Sequence, residues 1–108
     1  MTFDYRLKKE KDFNLVFKNG KKLYSKKLTV VYYPSSTIKA GFAVSKKHGT
    51  SVKRNRIKRL LRESFRSLLP NIRQNFFFVF IPKVENQYTL EDFKENMNYI
   101  FKKGGFYN

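Results

Sequence analysis

The sequence predicts a mixed α+β fold: one α-β sandwich domain over residues 1–108, ordered roughly α-β-β-(β)-α-β-α. Three observations lead there. Apolar residues recur at helical spacing near the start, middle and end of the chain, while the segments between alternate or run unbroken, as strands do. A chain of 108 residues is long enough for one core and too short for two. Apolar residues make up 41% of it, with twelve Phe and seven Tyr, enough to offset the entropy of ordering the chain.

The first element is a short helix over about Glu10 to Asn19, with Phe13, Val16 and Phe17 on one face and Gly20 in the position of a C-terminal cap. Leu23 to Tyr33 is rich in β-branched and aromatic residues and stops at Pro34-Ser35-Ser36; it reads as a strand, with room for a further one inside it. From Ile38 the pattern alternates. Ile38, Ala40, Phe42 and Val44 share one side; Lys39, Gly41, Ala43 and Ser45 share the other. That second side has little bulk, which suits either close packing by a helix or close approach of a ligand. After Gly49 the period turns helical, with Ile57, Leu60, Leu61, Ser64, Phe65 and Leu68 on one stripe until Pro70. Asn75 to Pro82 contains an unbroken apolar run suited to a strand covered on both faces, so the strand-helix-strand unit suggests parallel pairing. Thr89-Leu90-Glu91-Asp92 resembles a capping box with Asp in place of Glu. It opens a last helix whose stripe is Leu90, Phe93, Met97, Ile100 and Phe101, closed by Gly104-Gly105.

Twenty-four Lys and Arg against eight Asp and Glu leave a formal charge of +16. Self-repulsion on that scale points to a polyanionic partner, a nucleic acid above all. The longest apolar run, Phe76 to Ile81, is far shorter than the roughly twenty residues of a membrane span. No membrane partner is expected. Met1 to Tyr5 lacks the pattern of a secretory signal, and the chain has no Cys, so a cytoplasmic location is expected.

Catalytic groups are scarce. A protein nuclease needs a carboxylate cluster for metal or an acid paired with a base. Glu10, Asp12, Glu91, Asp92 and Glu95 sit where helix dipoles alone explain them, and Asp4, Glu63 and Glu85 are scattered. His48 is the sole histidine, which excludes a two-histidine mechanism, and in a basic loop it reads as a surface residue. No catalytic or metal-ligating side chain is therefore assigned.

The informative stretch runs from Lys46 to Arg66. At about 100° per residue, Arg54, Lys58 and Arg62 line one edge of the helix, and Asn55, Arg59 and Arg66 continue around it, away from the Ile57/Leu61/Leu68 stripe. Like charges at i,i+4 cost a few tenths of a kcal/mol per pair, and Glu63 alone relieves them. A phosphate backbone reverses that sign. Composition does not distinguish a structural RNA-binding protein from other RNA binders. A DNA reader of the helix-turn-helix type would need a helix where strand-like Gly41 to Lys47 stands.

Lys47-x-Gly49-x-x-Val52-x-Arg54-Asn55-x-x-Lys58-Arg59 resembles the signature of the bacterial ribonuclease P protein family. Lys8-Lys9 with Asp12-Phe13-x-x-Val16-Phe17-x-x-Gly20 resembles that family's first helix, and Gly41 to Lys47 its strand into the signature. Order and spacing hold over most of the chain. Departures are Ser51, where the family usually has Ala, and His48, usually aliphatic; both read as small or exposed.

The resemblance implies a left-handed strand-helix-strand crossover, against the usual preference. It implies that an RNA subunit performs the hydrolysis with Mg²⁺, and that the protein helps remove the 5′ leader of precursor tRNA. The partners are then the ribonuclease P RNA and precursor tRNA, with no obligate protein partner. By the same resemblance Lys46, Lys47, Lys53, Arg54, Asn55, Lys58, Arg59, Arg62 and Arg66 face the RNA subunit. Phe13, Phe17, Val31 and Tyr33 line a leader cleft between the first helix and the sheet. On pattern alone Phe13 and Phe17 would be core, and the side of strand 28–33 that faces the cleft stays open.

Overall fold

Residues 5–108 are described in a computed structural model; residues 1–4, on which the readings of the chain start and of Asp4 rest, lie outside the described residues. Helix α1 (Glu10–Asn19) leads into strands β1 (Lys21–Tyr24), β2 (Leu28–Pro34) and β3 (Lys39–Phe42), followed by α2 (Ser51–Leu68), β4 (Phe76–Pro82) and α3 (Leu90–Gly104). The strands form one sheet in the order β1-β2-β4-β3, antiparallel except for β3 beside β4. That parallel pair is the one joined through α2, as crossover geometry requires.

The register divides the sheet into two faces. Val30 pairs with Phe80 and Tyr32 with Phe78, while Val31 pairs with Val79 and Tyr33 with Phe77. On one face Leu28, Val30, Ala40, Phe78 and Phe80 pack with Ile57, Leu61 and Phe65 of α2 and with Phe93, Met97, Ile100 and Phe101 of α3. The rings meet largely edge to face, Phe78 against Phe101 at 5.5 Å and 70° and against Phe106 at 5.2 Å and 90°, the arrangement their quadrupoles favour. The opposite face carries a smaller core of Leu7, Val16, Val31 and Val79 beneath α1. The sheet is thus covered on both faces.

The further strand for which Leu23 to Tyr33 had room is present, and the stretch is a hairpin: buried Ser25 accepts from the Leu28 N–H at 3.1 Å, and its own N–H donates to the Leu28 carbonyl at 2.8 Å. Lys26 and Lys27 form the corner. Gly20 does close α1, through its N–H to the Val16 carbonyl, yet its φ of −77° is open to any residue. It is glycine because a Cβ would lie 2.5 Å from the Val16 carbonyl oxygen and 2.8 Å from Val31 Cγ1. Thr89 accepts from the Asp92 N–H at 3.1 Å, but the Asp92 carboxylate pairs with Lys27 Nζ at 2.7 Å instead of completing a capping box. That ion pair and Lys27 N–H to Asn96 Oδ1 at 2.9 Å tie the hairpin to α3.

His48 is neither small nor exposed. It is buried, with Nε2 2.7 Å from the Pro82 carbonyl, while Nδ1 accepts from the Ser45 N–H at 3.1 Å. The tautomer with its proton on Nε2 makes both bonds. The ring thereby fastens the turn before α2 to the end of β4. Its role is structural, which its basic neighbours concealed.

Candidate nucleic-acid interface

Helix α2 begins where Thr50 accepts from the Lys53 N–H at 3.3 Å, capping one of its unpaired donors. Ile57, Leu61, Ser64 and Phe65 are buried; Lys53, Asn55, Arg59, Arg62 and Arg66 are exposed, and Arg54 and Lys58 are half-buried. Lys46 and Lys47 are exposed on the turn that His48 anchors. Every predicted cation thus lies off the packed stripe. Arg66 differs from the others, since its Nη2 meets Glu63 Oε1 at 2.6 Å and its charge is partly answered locally. Arg54 Nε is enclosed and has no hydrogen-bond partner among the described residues.

On the other sheet face, α1 rests on Val16 and shows Phe17 outward, 44% exposed. Phe13 is half-buried against β3, where a Cβ at position 41 would clash with its ring. Helix packing therefore accounts for Gly41. Tyr33 is half-buried on the same face, so the side of β2 beneath α1 is the one with Thr29, Val31 and Tyr33. Val31 is a correction to the expected cleft lining: it is wholly buried between Val16 and Val79 and supports the wall without reaching the surface.

Two further positions on this face are not legible in the sequence. Phe77 and Ile81 are half-buried on the face of Tyr33, but the unbroken apolar run of β4 hid which of its residues alternate to that side. The segment before α1 was also missed. Its Leu7 N–H donates to the Ala40 carbonyl at 2.9 Å and its Tyr5 carbonyl accepts from the Ala40 N–H at 2.7 Å, so it runs along the β3 edge. There Arg6, Phe13 and Gly41 meet Lys58 and Arg62 around an open groove of about 190 Å³. The groove joins the aromatic side of α1 to the cationic side of α2.

Clear titration shifts fall elsewhere. The hydrogen bond to Lys27 holds the Asp92 carboxyl below its ordinary range, and Asp92 raises the Lys27 ammonium. Burial raises the Tyr107 hydroxyl. Among the described residues, no group of three or more His, Cys, Asp or Glu is placed to hold a metal ion, and no helix is long and apolar enough to cross a membrane.

A cationic helix face beside an aromatic groove, on a sheet covered from both sides, defines an RNA-binding α+β protein. The family model described as Ribonuclease P matches residues 1–105. A ribonuclease P protein component from Caldanaerobacter subterraneus is 39% identical over 94% of this chain and 90% of its own, and one from Exiguobacterium is 34% identical over 95% and 92%. The Staphylococcus aureus RNase P protein structure superposes with a TM-score of 0.84 at 26% identity, covering 98% of this chain and all of that one. The chain belongs to the ribonuclease P protein family. Its role is that of the protein subunit in maturing the 5′ end of tRNA, within an endoribonuclease complex, and membership implies partnership with ribonuclease P RNA.

Proposed function

We propose that the exposed face of α2 binds the ribonuclease P RNA near its reaction centre while the groove between α1 and the sheet takes the 5′ leader of precursor tRNA. Lys46, Lys47, Lys53, Arg54, Asn55, Lys58, Arg59, Arg62 and Arg66 make the first contact. Phe13, Phe17 and Tyr33 make the second, with Phe77 and Ile81 beside them. Phosphodiester hydrolysis belongs to the RNA, which uses Mg²⁺, and the protein supplies charge and position in the cytoplasm with no further protein partner. The observation that carries this reading is the groove at Phe13, Gly41, Lys58 and Arg62, where the two surfaces meet. A strand whose bases stack on α1 would there bring its phosphates to α2. Stacking tolerates any base, as a subunit serving many leaders needs.

Reconstitution tests it. Ribonuclease P RNA, this protein, or both are incubated with precursor tRNA at low Mg²⁺. Leader removal by the pair alone is expected; cleavage by the RNA-free protein, or no gain on adding protein to RNA, would refute the assignment.

A further inference from the structure

On the flank of α2 away from the leader groove, a pocket of about 260 Å³ lies between the helix and the loop joining β4 to α3. Lys53 and Arg56, one turn apart, stand on its helix side; Asn86 and Gln87 stand on its loop side; Ile57, Leu60 and Tyr88 give it an apolar floor. We infer that this pocket holds one unpaired nucleotide of the RNA subunit, its base on the floor, its edge read by the carboxamides and its phosphate held by Lys53 and Arg56. The inference rests on the reading that α2 faces that RNA.

The loop is built to present those amides. The Tyr88 hydroxyl donates to the Lys83 carbonyl at 2.9 Å and accepts from the Glu85 N–H at 2.8 Å, while its ring stacks on Phe93 at 5.6 Å and 24°. This closes the loop on itself, so the backbone that carries Asn86 and Gln87 at its tip is already tied at Lys83 and Glu85. Both side chains are exposed and make no hydrogen bond to any described residue. Glu85 is not part of the lining; its charge acts on Lys27, at the hairpin corner. The pocket is smaller than the roughly 300–1,000 Å³ of typical small-molecule sites, a size for a single nucleotide. Sequence-specific contacts to RNA favour splayed, unpaired bases read on their edges. A carboxamide matches the donor and acceptor of adenine best.

Because the chain has no cysteine, a Gln87→Cys variant takes a photo-crosslinker at one site. Assembled with ribonuclease P RNA and precursor tRNA, it is expected to crosslink to one unpaired nucleotide of the RNA subunit, an adenosine. Crosslinks confined to paired nucleotides or to the tRNA, or none, would overturn the inference. In a binding assay across salt, an Asn86→Ala/Gln87→Ala double variant is expected to lose about tenfold in affinity for the RNA subunit with an unchanged salt slope, since amides displace no counterions. Arg56→Ala is expected to lower both affinity and slope. Wild-type affinity of the double variant beside a weakened Arg59→Ala refutes the pocket and spares the reading of α2. If Arg59→Ala also binds normally, that reading falls and the pocket with it.

Discussion

Arg59 and Leu61 stand two residues apart on α2 and face opposite ways, so truncating each to Ala isolates the two functions of the helix. Leu61 is wholly buried in the core between α2, α3 and the sheet. Removing its side chain forfeits transfer free energy and leaves a cavity among rings that relax little, a cost of about 2–5 kcal/mol. For a domain of this size each kcal/mol is about 4–8 °C in Tm, so Leu61→Ala is expected to melt at least ~8 °C lower. Arg59 is exposed, beside Val52, Asn55 and Arg56 on the helix surface. Its loss relieves like-charge repulsion along α2 and changes stability by no more than about 0.5 kcal/mol. Function is expected to respond in the opposite order. With one fewer cation at the RNA, Arg59→Ala needs more Mg²⁺ for half-maximal leader cleavage, because free ions replace the lost screening. Thermal melts by circular dichroism and Mg²⁺ titrations of the reconstituted complex read the two quantities. A folded Arg59→Ala protein that supports wild-type cleavage at low Mg²⁺ would show α2 to be a merely solvated face.

Phe17→Ala is expected to weaken binding of precursor tRNA about tenfold, within the roughly 1–3 kcal/mol of one stacked base, while leaving mature tRNA unaffected; equal losses for both substrates would return Phe17 to a structural role. His48→Ala is expected to cost about 1–3 kcal/mol in urea unfolding, because the Pro82 carbonyl and the Ser45 N–H lose their partner, whereas exposed Lys47→Ala should stay within about 0.5 kcal/mol. Unchanged stability of His48→Ala would contradict the anchoring described above. For the Lys27–Asp92 pair the pH dependence follows from the two directions. The Asp92 contribution is complete above the ordinary carboxyl value of 3.8 and is lost as pH falls through the lowered value, while the Lys27 contribution is complete below 10.5 and is lost as pH rises through the raised one. Lys27→Met should therefore alter stability by the same small amount at every pH from 5 to 9, and a difference that varies across that window would contradict the pairing.

Much of this architecture was legible in the residues because local periods carry it. The helical spacing of Ile57, Leu61 and Phe65 and of Phe93, Met97 and Phe101 located α2 and α3 with their buried stripes, and the run after Asn75 located a covered strand. The cations of α2 were separable from its core for the same reason, since a rotation of about 100° per residue fixes the face each side chain occupies. A charge of +16 with few carboxylates pointed to nucleic acid before any fold was known.

What pairing decides could not be read this way. Which side of β2 lies under α1 depends on its register with β4, and a one-residue slip would exchange Val31 and Tyr33 for Tyr32. Alternation puts Val31 on the side of Tyr33 without saying which of the two reaches the surface; only the seating of Val16 on Val31 shows that it is sealed. His48 looked exposed because its neighbours in sequence are basic, while the carbonyl that holds it, Pro82, lies 34 residues away. The pocket at Asn86 and Gln87 joins a loop to a helix that no local period connects. Periodicity is a property of neighbours along the chain and determined the elements and their polar faces; strand register and long-range contacts are properties of the folded chain, and they decided which of those faces stay open to RNA.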